Sequence, residues 1–188
     1  MIIPNSRPKI SEVEIRKMLD PFQIDWGKYP LVIIGIRGYY LDSMGKPNVN
    51  DRGIYDDAMF IITPSLYRPF NGNTDPGKYR PGIASLKPGV WYAYRFDIHD
   101  GRYPAICQRA GKVTVIRDHR GEDTGMFGIN IHKGGYTTTS SIGCQTIPPT
   151  QWDEFYNLAK DEFVKVWGKL WRQKVIPYCL MTAETAKE

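Results

Sequence analysis

The chemistry in this chain concentrates in one stretch, residues 127–147, FGINIHKGGYTTTSSIGCQTI, which contains His132 and Cys144. Cysteine chemistry on a carbonyl needs a thiolate, a base close enough to make it, and donors that stabilise the oxyanion after attack. The stretch offers candidates for all three. His132 closes a strand-like run, Lys133-Gly134-Gly135 forms a glycine-rich turn, and a Ser/Thr run leads to Ser140-Ser141-Ile142-Gly143-Cys144. Gly143 permits a tight approach that exposes the sulfur and aims backbone N–H groups at a bound carbonyl. Cys107 and Cys179 sit in the apolar runs PAICQ and VIPYCLM and read as small buried hydrophobes. Cys144, with a small residue before it and polar residues on both sides, reads as an accessible thiol. His99 and His119 stand beside Asp in turn-like segments and read as surface residues.

A chain of 188 residues, 41% hydrophobic, is long enough for one well-buried core, and we read residues 1–188 as a single domain. Its formal charge of +5 favours anionic partners. Lys and Arg are scattered, and neither an RNP-like aromatic motif nor zinc-finger spacing occurs, so nucleic acid is not an expected partner. Three cysteines at unrelated spacings argue against a disulfide framework and against a metal cluster. The first twenty residues lack the basic and apolar regions of a secretory signal, which predicts synthesis in the cytosol. No apolar run approaches the ~20 residues of a membrane span, so no integral membrane segment is expected.

The elements that must position Cys144 and His132 are mainly strands. Ser11 and Glu14 form a capping box for a short helix over 11–20, with Ile10 and Ile15 as a hydrophobic staple and Pro21 as its end. Leu31 to Tyr40 and Ile54 to Thr63 read as strands. Residues 66–87, rich in Pro, Gly and Asn, read as a long surface loop. Val90 to Ile98 alternates, with Tyr92, Tyr94, Phe96 and Ile98 on one face. Ala105 to Gln108, Lys112 to Arg117, Met126 to His132 and Val175 to Met181 are further strands, with HRGED as a turn, and an antiparallel meander is the simplest assembly. Trp152, Phe155, Ala159, Phe163, Val166 and Leu170 recur at spacings of three and four, predicting an amphipathic helix over 151–173 with Thr150 as N-cap. Its basic face, Lys160, Lys165, Lys169 and Arg172, reads as solvated, and the tail TAETAKE as frayed. The expected class is mainly β with helices, α+β, and the site lies within residues 118–150.

FGINIH followed by a glycine-rich stretch and SIGC resembles the L,D-transpeptidase catalytic domain. The resemblance implies a β-sandwich or meander fold with the long C-terminal helix packed on it, and no cofactor. It further implies that His132 activates Cys144 for attack on the peptide stem of peptidoglycan, through an acyl-enzyme. Ser141 and Gly143 flank the nucleophile; Tyr136, Thr139 and Ser140 would line the entrance; Arg37 or Arg80 could pair with a stem carboxylate. The chain departs from the family signature at Ile142, where a second His is usual, at Thr146, where Arg or Asn is usual, and in a shorter loop between His132 and Cys144. That shorter pattern is similar to wall-acting relatives in phages, prophages and antibacterial effectors, which implies a bacteriolytic, endolysin-like protein that reaches the wall through another protein or lysis.

Two rival readings share the scaffold. A glycosidase cutting the glycan strand needs two carboxylates, for which Glu122 would be the acid and Asp97 or Asp118 a partner, with Asp123 beside it in the same turn. A non-catalytic component of a virion or secretion machine would keep the fold without turnover, although such a binder has no need of the Cys144 and His132 pair.

Overall fold

A computed structural model of the protein describes residues 3–184. The fold is mixed α+β and mostly sheet. An eight-stranded sheet has the order β10-β9-β6-β5-β11-β1-β2-β3, and β4, β7 and β8 form a smaller antiparallel sheet. The strands are β1 Val32–Arg37, β2 Asp57–Thr63, β3 Leu66–Gly72, β4 Ala84–Leu86, β5 Gly89–His99, β6 Tyr103–Gln108, β7 Val113–Arg117, β8 Gly121–Gly125, β9 Ile131–Lys133, β10 Gln145–Ile147 and β11 Ile176–Thr182. Two pairings, β1 with β11 and β9 with β10, are parallel, so the sheet is not the expected meander. The end strands nearly meet. Asn73 and Thr146 exchange two backbone hydrogen bonds, Asn73 N–H to Thr146 carbonyl at 2.9 Å and the reverse at 2.8 Å, which closes the sheet toward a barrel.

Strand β1 shows how sequence becomes sheet. Its run VIIGI is continuously apolar because both faces are covered. Ile33 faces the core that contains Met59, Phe70, Tyr94 and Tyr178, whereas Val32, Ile34 and Ile36 face Phe60, Ile62, Cys179 and the helix residues Ile15 and Leu19. Gly35 is required within this strand, since a Cβ there would stand 2.1 Å from the Tyr178 hydroxyl.

Helix α1, Glu12–Leu19, carries the expected Ser11 cap and Glu14 capping box. Helix α2, Pro149–Trp167, continues as a 3-10 helix over Gly168–Gln173. Trp152, Phe155, Ala159 and Phe163 are buried against the sheet, with Phe155 edge-on to Phe70 at 5.1 Å. Val166 and Leu170 do not continue the stripe; they are 54% and 50% exposed, and Trp167 and Trp171 pack against the core in their place, Trp171 lying 4.9 Å from Phe96 of β5. The N-cap is Pro148 rather than Thr150, with no side-chain cap bond.

Three further expectations are corrected. The segment 66–87 holds β3 and β4, with Pro69 tolerated because β3 is an end strand. The turn expected at HRGED holds only for His119 and Arg120; Gly121, Glu122 and Asp123 open β8, which pairs with β7. On β5, Tyr94 and Phe96 are buried, but Tyr92 and Ile98 are exposed. Of the tail, Thr182 ends β11, and residues 185–188 lie outside the described residues.

Candidate active site

Parallel pairing of β9 with β10 brings His132 and Cys144 to one place. His132 is in register with Thr146, two residues past the cysteine. Both line a cleft of about 680 Å³, together with Ala84 and Arg117 of the small sheet, the preceding Gly82 and Ile83, and residues 127–130. Gly143 is needed for this approach. It has φ +140°, and a Cβ there would stand 2.7 Å from the Ala84 carbonyl oxygen.

Cys144 is less accessible than expected, at 7% exposed. The Asn130 N–H donates to its sulfur at 3.4 Å, and its S–H donates to the Gly128 carbonyl at 3.4 Å. Burial pushes the thiol up to about 11, so it rests protonated at neutral pH. Ser141 braces the loop: its hydroxyl donates to the Cys144 carbonyl at 2.7 Å and accepts the Gly143 N–H at 3.1 Å. The Gly143 N–H is therefore committed inside the loop, and the Cys144 N–H is the donor beside the thiol with no partner among the described residues.

His132 is 4% exposed, and its tautomer follows from its neighbours. Nδ1 lies 2.8 Å from the Lys133 carbonyl, which can only accept, so Nδ1 carries the proton. The Tyr103 hydroxyl, 3.1 Å from Nδ1, also reaches the same carbonyl at 3.4 Å. Nε2 is left with a free lone pair. Burial, reinforced by His99, holds the imidazole down to about 4, against the upward pull of the Lys133 carbonyl.

His99 is the site residue that the sequence reading assigned to the surface. Its ring stacks on His132 with centroids 4.1 Å apart and planes 18° from parallel. Asn130 fixes it. The Asn130 Oδ1 accepts the Gln108 N–H at 2.9 Å, which turns Nδ2 toward His99 Nδ1 at 3.0 Å. Nδ2 donates, so the His99 proton sits on Nε2. The only hint in the sequence was the strand parity of β5, which sends His99 and Asp97 the same way; the stacking partner is 33 residues distant.

The other expected site residues divide. Ser140, with φ +57°, lines the cleft, as do Gly143 and Arg80. Tyr136 is exposed and outside the cleft lining; Thr139 is buried, not at an entrance. Arg37 is likewise away from the cleft, its guanidinium spent on Asp75 at 3.2 Å and on the Thr74 and Leu86 carbonyls. Glu122 is exposed and paired with Lys87 at 2.6 Å, and Asp123 pairs with Arg117 at 2.7 Å. Asp118 is held by Arg52, which pulls its carboxyl down, and Asp97 by Arg109. Asp100 is the sole carboxylate among the residues lining the cleft. His119 remains exposed in a turn, and Cys107 and Cys179 are buried.

Among the described residues, no group of three or more His, Cys, Asp or Glu side chains is arranged to hold a metal ion. Among them, too, no helix is long and apolar enough to cross a membrane. Comparison with protein-family models, with curated proteins and with solved structures yields no match.

Proposed function

We propose that this protein is a cysteine enzyme of the L,D-transpeptidase type that cleaves or exchanges the stem peptide of peptidoglycan, as an endolysin-like, bacteriolytic protein would. The observation that carries the reading is the His132 tautomer. With Nδ1–H locked on the Lys133 carbonyl, the free Nε2 lone pair belongs to a buried neutral imidazole in the cleft that Cys144 lines. Cys144 Sγ attacks the stem carbonyl carbon as its proton passes to His132 Nε2. The C–N bond then breaks, the imidazolium gives that proton to the leaving amine, and a thioester remains. Water or an acceptor amine resolves the thioester, with His132 again taking the proton. The Cys144 N–H stabilises the oxyanion in both steps.

Glycan cleavage draws no support from this geometry. It needs two carboxylates across a cleft, and Glu122 lies outside it in an ion pair with Lys87.

The reading is tested by trapping. Incubation with a stem tetrapeptide at low temperature, followed by acid quench and intact-protein mass spectrometry, should show an adduct of the acyl fragment mapping to Cys144. The adduct should vanish in Cys144→Ala and accumulate at least ~10²-fold more slowly in His132→Gln. Turnover of the peptide with no cysteine adduct, undiminished in Cys144→Ala, would contradict it.

A further inference from the structure

A second cavity, of about 360 Å³, adjoins the first along a wall made by His99, Asp100, His132 and Ser140. The first contains Cys144 and extends outward to Arg80 and Arg117; the second lies on the far side of His132 and is lined by Arg102, Tyr103 and Lys133. The charges along this path are unequal. Arg117 is tied to Asp123, Arg109 to Asp97 and Arg102 to Asp100. Arg80 in the first cavity and Lys133 in the second have no ion-pair partner among the described residues, and Asp100 is the only carboxylate lining either one.

We propose that the double cavity binds a peptide with a carboxylate on each side of the bond presented to Cys144, Arg80 pairing with one and Lys133 with the other. A cleft walled by one sign of charge concentrates its field on ligands of the opposite sign. The two cations differ in what they offer. The Arg80 guanidinium is planar and takes a carboxylate through two parallel bonds, whereas the Lys133 ammonium is a point charge that accepts many orientations. Apolar Phe127, Ile129 and Ile142 line the first cavity along with Arg80 and the thiol, which suits a peptide backbone with an anionic branch more than a uniformly charged polymer. The proposal rests on the stem-peptide reading for its substrate, and it adds the demand that the carboxylates be free rather than amidated.

Both side chains can be changed with little risk to the fold, since Arg80 is exposed and Lys133 orients His132 through its backbone carbonyl. Binding is measured by calorimetry in a Cys144→Ala background, with melting curves confirming each variant folded. Three probes are used: L-Ala-γ-D-Glu-meso-diaminopimelyl-D-Ala with free carboxylates, the same peptide with both side-chain carboxyls and the C-terminal carboxyl amidated, and γ-glutamyl-glutamate as an acidic peptide foreign to the wall. The free stem peptide should bind, amidation should weaken it, and Arg80→Gln and Lys133→Gln should each cost about fivefold at low salt and less at high salt. Equal binding by the variants, or indifference to amidation, overturns the proposal. If γ-glutamyl-glutamate binds through both cations while the stem peptide does not, the double-anion cleft stands and the stem-peptide reading falls. If neither binds, the double-anion proposal falls.

Discussion

At the scale of single residues, the site is a neutral thiol beside a neutral imidazole rather than a preformed ion pair. Burial sets both, pushing Cys144 up to about 11 and drawing His132 down to about 4. The proposed catalysis needs the bare Nε2 of His132, so kcat should hold through pH 5 and fade only as the pH approaches about 4. The groups facing that ring are His99, stacked on it, and Tyr103, with Asp100 and Arg102 on the adjoining turn. His99→Phe keeps a flat ring over His132 and removes a group that opposes its charging, so the acid limb should move to higher pH. An unmoved limb in a folded variant would show that His99 does not hold His132 neutral. Stability carries the same sign. Below the ordinary imidazole value of ~6.5 the unfolded chain takes up a proton that folded His132 refuses, so this contribution is present at neutral pH and lost as acid approaches about 4. Legibility was uneven at this scale. Cys144 and His132 stood out because they share one 21-residue segment. His99 did not, because a stacked ring and an Asn130 bridge are products of the β5, β6 and β9 pairing, and no local spacing encodes them.

At the scale of elements, the apolar residues of α2 are worth more on the face that meets the sheet than beside it. Phe155 is buried between Phe70 and Trp152, so Phe155→Ala should cost about 3–5 kcal/mol in chemical denaturation. Val166→Ser, at an exposed position, should stay within about 0.5 kcal/mol. Equal costs would mean that Val166 is packed as Phe155 is. The stripe itself was readable from its period, and so was the capping box of α1, since both are written in neighbouring residues. What the sequence could not show was that the buried face passes from Phe163 to Trp167 and Trp171 rather than to Val166 and Leu170. For the same reason β3 was hidden: LYRPFNG carries Pro, Asn and Gly that weaken any strand signal, and it is held in place by β2 across seven paired residues. β8, GEDTG, has almost no strand propensity and exists because β7 offers it an open edge.

At the scale of the whole molecule, the mainly β class with a long C-terminal helix was legible, but the topology was not. Parallel pairing joins segments far apart in sequence, as β1 with β11, and no turn residue announces it. The near-closure through Asn73 and Thr146 has a functional consequence, since it pins β10, and with it the loop bearing Cys144, to the far end of the sheet. Both edges of the sheet therefore converge beside the candidate site, and the small sheet lines part of its cleft. The formal charge of +5 suits approach to an anionic polymer, an attraction that salt would weaken.

The most direct test of the account is mass spectrometry of purified peptidoglycan digested with the wild-type protein, with Cys144→Ala and with Glu122→Gln, each shown to be folded. The account predicts shortened or exchanged stem peptides that disappear with Cys144→Ala and persist with Glu122→Gln. New reducing sugar ends that survive Cys144→Ala and vanish with Glu122→Gln would contradict it, and would move the chemistry from the cleft of His132 to the exposed surface of β8.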